Sequence, residues 1–282
     1  MSLFEQVALG IQALRFTVLA LFRPRLWAPW LMLGAVEVLV VVALWQFAHP
    51  AFSWFMAPLL SRLAGEPALH YPRVFELMPE FFDRADVAVG ALLGSVAIGI
   101  ATPLFAGQFR GETPRVGEAL AQGLRRSPAL ILVQLPFNVL VTGISLGVSA
   151  WLAHRGGAGL ITRAAELGVT GGSLALQASF FYAAALVMLK GRSALESLRE
   201  LPSTWRRGFV PACVVGALTL LLLLPLHWLS GQDDLVVARG RPELVGWLTL
   251  LEVAGGLLNW FLLTGSATLI FLSALDRPDD EA

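Results

Sequence analysis

Three stretches of the chain share one order of polar and apolar positions. In each, an amphipathic segment that contains arginines leads to a proline, and a long apolar run follows. The most regular copy is RGETPRVGEALAQGLRRSPALILVQLPFNVL, residues 110–140, where Pro128 opens the apolar run. Pro29 and Pro211 occupy the same place in the other two copies. The pattern predicts three units, each an interfacial helix followed by a membrane span, and we expect a second span to complete each unit as a hairpin.

The apolar runs are long enough to cross about 30 Å of hydrocarbon as helices. They predict an all-α fold, a polytopic membrane helical bundle of six transmembrane helices that forms one domain over residues 1–282. Hydrophobic residues make up 56% of the chain and charged residues only 14%, whereas about 25% of a soluble domain is charged. The spans are expected at about 30–47, 87–105, 128–152, 171–189, 209–229 and 244–274.

Two segments outside these spans are also apolar. Residues 3–22 are interrupted by polar side chains, among them Glu5, Gln12 and Arg15, which predicts an interfacial helix, with a seventh span as the alternative. No small-residue cleavage site follows them, so we do not expect a signal peptide. The long segment 49–86 contains two amphipathic pieces and is predicted to form an outer loop.

Basic residues predict the orientation, because lysine and arginine are enriched in the cytoplasmic loops of membrane proteins. The six-span arrangement places thirteen of the 20 basic residues on one side and seven on the other. The richer side is therefore predicted to be cytoplasmic and to carry both termini. All basic residues except Lys190 are arginine, a bias that hints at a GC-rich bacterial genome, and we expect the protein in the cytoplasmic (inner) membrane of a bacterium.

Polar side chains recur within the predicted spans. Those of span 3 share one helical face because their spacing is three or four residues. Unpaired amides and carboxylates are costly in hydrocarbon, so we expect the polar faces of spans 3, 4 and 6 to turn toward one another. The candidate intramembrane residues are Glu37 in span 1, Gln134, Asn138, Thr142 and Ser145 in span 3, Gln177 in span 4, and Glu252 and Asn259 in span 6.

The polar faces have two interpretations, which the sequence leaves open. They line a path for a solute, with Glu37 or Glu252 sensing a proton or a cation, or they join helices through hydrogen bonds worth about 0.6 kcal/mol each. At about 1.5 Å per residue, Glu37 lies about 10 Å from the cytoplasmic end of its span and Glu252 about 30 Å from that of span 6. We therefore do not expect these two carboxylates to form a pair.

The sequence contains no motif of a catalytic site, so we expect no enzyme and no cofactor. The single cysteine excludes a cysteine-based metal site, the four histidines have no metal-ligand spacing, and a net charge of zero makes nucleic acid an unfavoured partner. Basic residues flank two predicted spans and are expected to contact the anionic inner leaflet or a protein partner. These are Arg125, Arg126, Arg206 and Arg207.

One segment resembles a known group of membrane proteins. The stretch YAAALVMLKGRSALESLRELPSTWRRGFVPACVVGALTLL, residues 182–221, resembles a six-span bacterial family that includes YciC-like inner-membrane proteins and the membrane domain attached to some glycerophosphodiester phosphodiesterases. The resemblance extends over about residues 90–275 and implies a six-span fold without implying a phosphodiesterase or any catalytic residue. The opening, residues 13–34, is similar to the start of CysZ-like sulfate permeases, but the loop 49–86 follows one span here rather than two.

Two functions remain open from the sequence. The first hypothesis is a non-enzymatic accessory or scaffold protein in a cell-envelope process, which contacts the lipid bilayer and another membrane or cytoplasmic protein. The alternative is a transporter or channel for a small solute or lipid, with a polar path along spans 3, 4 and 6. An intramembrane enzyme is the least favoured, since no nucleophile and base occur together in a recognisable motif.

Overall fold

The computed structural model of the chain describes residues 1–71, 73–155 and 160–275, apart from the side chains of residues 67–68, 145, 149, 152–155, 160–167 and 234. The described residues form helices and turns, and no strand occurs among them. The prediction of an all-α fold is therefore confirmed.

Twelve α-helices can be traced through the described residues. They are α1 (Leu3–Ala20), α2 (Ala28–Trp45), α3 (Pro50–Ala64), α4 (Arg73–Val89), α5 (Ser95–Phe109), α6 (Val116–Arg125), α7 (Ser127–Arg155), α8 (Leu160–Phe180), α9 (Ala183–Met188), α10 (Ala194–Ser230), α11 (Asp233–Ala238) and α12 (Val245–Ile270). Short 3₁₀ turns occur at Pro24–Trp27, Glu66–Leu69 and Pro242–Leu244, and π-helical turns at Gly90–Gly94 and Phe271–Leu275.

Seven helical stretches among the described residues are long and apolar enough to cross a membrane. They are Leu3–Ala20, Pro24–Trp45, Arg73–Phe109, Ser127–Val148, Gly168–Met188, Ala194–Ala238 and Pro242–Leu275. Six of these overlap the six predicted spans and the seventh is α1, so the six-span count is not exact by length and composition. The chain is a helical membrane protein.

The three sequence copies are built differently at the junction between amphipathic segment and span. A 3₁₀ turn, Pro24–Trp27, separates α1 from α2, and only Arg126 separates α6 from α7. In the third copy no junction exists, because α10 runs unbroken through Pro211. The expectation of a separate interfacial helix is wrong there, since a proline removes a single backbone hydrogen bond, which bends a helix in a membrane without ending it.

The two amphipathic pieces of the predicted outer loop lie in α3 and α4. Its second amphipathic piece forms α4, which continues through the π-helical turn Gly90–Gly94 into α5. The second piece of the loop and the second span are thus parts of one helical stretch, Arg73–Phe109. A π turn accommodates one extra residue within a helix, and this one begins and ends at a glycine.

The chain divides into two compact units. The first unit comprises Met1–Pro29, Ala91–Leu220 and Trp260–Ala282, and the second comprises Trp30–Gly90 and Leu221–Asn259. Each is described separately below.

Close helix contacts in the first unit occur at glycines. A Cβ atom at Gly99 of α5 would lie 2.2 Å from the Leu130 side chain of α7, and one at Gly123 of α6 would lie 2.4 Å from Ile100 of α5. Small residues at such positions let membrane helices approach closely, which maximises the van der Waals contact that holds them together.

Helix α1 packs into the first unit through its small residues. A Cβ atom at Gly10 would lie 2.9 Å from the carbonyl oxygen of Pro211 in α10, and one at Gly265 of α12 would lie 2.4 Å from the methyl group of Thr17. The seven residues between Gly10 and Thr17 cover about 10 Å along α1.

The side chain of Tyr182 packs against α10 and against the turn that follows α12. Its ring contacts Gly208 of α10 and lies 6.5 Å, centroid to centroid, from the ring of Phe271 in the π-helical turn Phe271–Leu275.

The second unit is centred on α2 and α12. A Cβ atom at Gly34 would lie 2.5 Å from the Leu257 side chain, and one at Gly246 would lie 2.7 Å from the ring of Trp45. The two helices are therefore antiparallel in this unit. Helices α3 and α4 add their apolar faces to a shared core, which contains among others Val41, Leu60, Met78, Phe82 and Val253.

A hydrogen bond links the segment before α4 to the segment before α12 in the second unit. The hydroxyl of Tyr71 donates to the carboxylate of Glu243 at 3.1 Å. Loss of solvent around the ring raises the pKa of Tyr71, and the hydrogen bond and the charge of Glu243 raise it further.

Candidate functional site

Two of the predicted polar residues line one pocket of the first unit. Gln134 lies on α7 and Gln177 on α8, and both are half-buried. The pocket has a volume of about 40 Å³ and is partly open to the surroundings, which is room for a polar group or for one or two water molecules. The expectation that the polar faces of spans 3 and 4 turn toward one another is consistent with this arrangement.

Aromatic and apolar side chains form most of the pocket wall. The two amides and three threonines are the polar members of the lining. The full lining comprises Ile98, Thr102, Gln134, Phe137, Gln177, Phe180, Phe181, Ala184, Ala185, Trp260, Leu263, Thr264, Ala267 and Thr268. A mainly apolar wall with a few polar groups is typical of sites for amphipathic small molecules.

A break in a predicted span borders the pocket. Span 4 is interrupted at Phe181 and Tyr182, between the end of α8 and the start of α9. The indole of Trp205 donates to the freed carbonyl of Ser179 at 3.0 Å, and the hydroxyl of Tyr182 donates to the carbonyl of Gly208 at 2.7 Å. Irregular backbone at membrane depth occurs where protein buries it or where it lines a cavity.

Two of the three threonine hydroxyls of the pocket are satisfied within their own helices. Thr102 donates to the carbonyl of Ile98 at 2.8 Å, and Thr268 donates to that of Thr264 at 2.8 Å. Such bonds to the preceding turn satisfy the hydroxyl hydrogen and leave the oxygen able to accept.

The two amides differ from these hydroxyls. In residues 1–71, 73–155 and 160–275, neither Gln134 nor Gln177 makes a side-chain hydrogen bond to another residue. The Gln177 amide oxygen lies 3.3 Å from the position of a Cβ atom at Gly216, so that glycine gives it room. The interhelical hydrogen bonds of the alternative interpretation are thus not formed by these amides, whose donors and acceptors remain available to a ligand or to water.

The other polar residues predicted within spans 3 and 6 lie outside the pocket lining. Asn138 and Thr142 follow Gln134 on α7, and both are half-buried outside the pocket lining, as is Asn259 of α12. The side chain of Ser145 lies outside the described part of the chain. The hydroxyl of Ser266 donates to that of Thr17 at 3.3 Å and so joins α12 to α1.

The face of α12 that lines the pocket was not predicted from the sequence. Trp260, Thr264 and Thr268 share this face at a spacing of four residues. The heptad stripe of Glu252 and Asn259 lies on a different side of the helix, because consecutive residues are about 100° apart. The two threonines at i and i+4 beside a tryptophan were the signal that would have located it.

Glu37 and Glu252 both belong to the second unit. The antiparallel contacts of Gly34 with Leu257 and of Trp45 with Gly246 bring Glu37 level with residue 254 and Glu252 level with residue 39. The two residues are therefore about 3 Å apart in height, which corrects the estimate of about 20 Å made from the ends of their helices. That estimate counted from the ends of two helices that do not begin and end at the same level.

The four basic residues proposed as contact sites divide into two kinds. Arg125, Arg206 and Arg207 are exposed. Arg126 is half-buried, and its guanidinium donates a hydrogen bond to the carbonyl of Val187 at the end of α9. Arg126 therefore contributes to the fold, and the other three stay candidates for contact with the anionic leaflet or a protein.

The chain has been compared with known proteins. The comparisons with protein-family models, with curated proteins and with solved structures found no match.

Proposed function

We propose that the chain binds the polar group of a lipid or of another small amphipathic solute in the pocket beside the α8–α9 break, as part of a transport function in the membrane. The observation that carries the proposal is the pair of half-buried amides, Gln134 and Gln177, which line an aromatic pocket without a hydrogen-bonding partner among the described residues. Unsatisfied amides are costly beside hydrocarbon, and a polar ligand group or water relieves that cost.

We also propose that the protein lies in the cytoplasmic membrane of a bacterium. Both termini are in the cytoplasm, as the basic residues predict. It involves no catalytic step and no cofactor. The resemblance to YciC-like proteins and the weaker one to CysZ-like permeases stay predictions, and a transport function is compatible with the second.

Cysteine accessibility tests whether water or solute reaches the pocket. The background is Cys213→Ala, which removes the single cysteine of the chain. We expect a water-soluble, membrane-impermeant thiol reagent to label Gln134→Cys and Gln177→Cys in purified protein. The matched control is Leu132→Cys on the same helix, whose side chain is 55% exposed on the outside of the unit. It faces lipid and is expected to stay unlabelled.

Native mass spectrometry of the full chain then tests for a ligand. We expect a co-purified lipid or small amphipathic molecule on the wild type, and at least a tenfold lower occupancy on Gln134→Leu and Gln177→Leu. Gln46→Leu, at an exposed glutamine outside the pocket, is expected to keep the ligand. Failure of the reagent to label both pocket cysteines, together with unchanged occupancy in both leucine variants, would refute the proposal.

An accessory or scaffold function is the second candidate. Its supporting observation is the exposure of Arg125 and Arg206 at helical segments beside predicted spans, where a protein partner or the anionic leaflet would meet them. A protein that co-purifies in fixed stoichiometry and is lost in Arg125→Ala/Arg206→Ala would support this candidate, provided that the pocket cysteines remain unlabelled.

A further inference from the structure

A third polar side chain of the pocket, besides the two amides, has no hydrogen-bonding partner. Thr264 of α12 lines the pocket, and only 5% of its surface is exposed. Within the described residues its hydroxyl makes no hydrogen bond, although its carbonyl accepts one from the hydroxyl of Thr268 at 2.8 Å. A buried hydroxyl without a partner is costly, and a polar group in the pocket relieves that cost. Thr264 is therefore a candidate contact for the occupant of the pocket.

The lining of the pocket favours an uncharged occupant. Among the described residues, those that line it include no aspartate, glutamate, lysine, arginine or histidine. Its amide and hydroxyl groups belong to Thr102, Gln134, Gln177, Thr264 and Thr268, and all of them are uncharged donors and acceptors. A phosphate or an ammonium group in this pocket would lack an opposite charge, and its transfer from water costs far more than that of a hydroxyl.

The volume of the pocket limits the size of the polar group that enters it. This volume is about 40 Å³, and one water molecule takes about 30 Å³ of the liquid. A single hydroxyl group fits such a space, whereas a phosphate or a trimethylammonium group is larger. Because the pocket is partly open, the remainder of a ligand extends outside it.

The aromatic wall of the pocket favours an apolar remainder. The rings of Phe137 on α7 and Phe180 on α8 lie 6.0 Å apart, centroid to centroid. Both residues line the pocket, together with Phe181 and Trp260. Large aromatic surfaces are better covered by hydrocarbon than by water, so a ligand that inserts one small polar group and leaves an apolar body at this wall suits the site.

We propose that the ligand is an uncharged lipid with a free hydroxyl group, such as a diacylglycerol, and that Thr264 contacts this hydroxyl. The inference rests on the proposed function, because it names the class of ligand for the same pocket. A hydroxyl both donates and accepts, as the Thr264 hydroxyl and the two amides do. An analogue without the free hydroxyl would leave Thr264 unpaired, which makes this residue a determinant of specificity.

Native mass spectrometry of the delipidated full chain tests the inference with a matched series of lipids. The probes are dioctanoylglycerol, its acetyl ester, dioctanoyl phosphatidic acid and dioctanoyl phosphatidylcholine, which differ only at the third carbon of the glycerol. We expect the wild type to bind dioctanoylglycerol with about tenfold higher occupancy than each of the other lipids, because it alone offers an uncharged hydroxyl.

Substitutions of Thr264 test whether this residue recognises the hydroxyl. Thr264→Val keeps the side-chain shape, and we expect it to lower the occupancy of dioctanoylglycerol about tenfold, to the level of the acetyl ester. Thr264→Ser restores a hydroxyl and is expected to restore the preference. The matched control is Thr219→Val on α10, where the threonine is equally buried and also unpaired but lies outside the pocket lining; it is expected to bind like the wild type.

The outcomes separate this inference from the proposed function. Preferential binding of phosphatidic acid or phosphatidylcholine that is lost in Gln134→Leu overturns the inference and leaves the proposed function standing. Equal occupancy of dioctanoylglycerol and its acetyl ester in the wild type, or binding of none of the probes, also overturns the inference. The proposed function fails as well only when the cysteines at Gln134 and Gln177 stay unlabelled and both leucine variants keep the wild-type occupancy.

Discussion

A single glycine fixes the position of the broken helix beside the pocket. A Cβ atom at Gly208 would lie 2.5 Å from the ring of Tyr182, which is fully buried. The hydroxyl of the same tyrosine donates to the Gly208 carbonyl, so α10 both makes room for the ring and holds it. A rigid ring allows little adjustment to an added methyl group.

We predict that Gly208→Ala destabilises the protein by about 1–3 kcal/mol, as overpacking of a filled site does. Tyr182→Phe keeps the ring and removes the hydrogen bond, and its expected cost is about 1 kcal/mol. Thermal unfolding in detergent measures both. Gly172→Ala on α8 is the control, because no atom lies within 4 Å of its added Cβ; a loss of stability there equal to that of Gly208→Ala would contradict the packing argument.

Helix α9 has only six residues, and other elements satisfy the carbonyls at its end. The Leu189 amide donates to the carbonyl of Ala185 and the Arg192 amide to that of Leu186. The Arg126 guanidinium donates to the carbonyl of Val187, and the Gln122 amide lies 3.5 Å from that of Met188. The last four carbonyls of a helix have no partner within it, so the α6–α7 junction completes a helix that is distant in sequence.

We predict that Arg126→Leu destabilises the protein by about 1.5–3 kcal/mol, the range for hydrogen bonds made by charged groups. Arg125→Leu is a control of the same substitution at the neighbouring position, where the side chain is exposed, and its expected effect is below about 0.5 kcal/mol. Thermal unfolding of both variants compares them directly. If the two variants lose equal stability, the hydrogen bond from Arg126 to Val187 does not stabilise the protein.

The sequence predicted where the helices lie. It predicted less well where one helix ends and the next begins. Apolar runs of sufficient length located every predicted span, because the bilayer sets that length. The same pattern does not distinguish a bend from a break: α10 continues through Pro211, whereas span 4 is interrupted at Phe181 and Tyr182 without a proline or glycine. Tertiary contacts, here the hydrogen bonds of Trp205 and Tyr182, stabilise that interruption.

At the scale of the whole molecule, the sequence located polar side chains but not their surroundings. Gln134 and Gln177 were predicted to face a common interior, and they line one pocket. The heights of Glu37 and Glu252 were misjudged because the stagger of α2 against α12 depends on packing at Gly34 and Gly246. Periodicity fixes the face of a helix, whereas long-range contacts fix its height and its neighbours.

The placement of α1 determines how many times the chain crosses the membrane. If α1 lies in the interface, as Glu5, Gln12 and Arg15 predict, Ser2 and the loop at Thr113 are on one side and Ala51 is on the other. If α1 crosses, Ser2 moves to the side of Ala51 while the other two positions are unchanged. The N-terminus is thus the position at which the six-span and seven-span arrangements differ.

We predict that, in right-side-out membrane vesicles, an impermeant thiol reagent labels Ala51→Cys but neither Ser2→Cys nor Thr113→Cys, each in the Cys213→Ala background. All three positions are exposed, so each is expected to react once the vesicles are opened, which serves as the control for reactivity. The physical reason is that thirteen of the 20 basic residues lie on the side of Thr113 in this arrangement, and such an excess is retained in the cytoplasm. Labelling of Ser2→Cys in sealed vesicles, with Thr113→Cys still protected, would make α1 a seventh span. Labelling of Thr113→Cys with protection of Ala51→Cys would instead invert the whole topology.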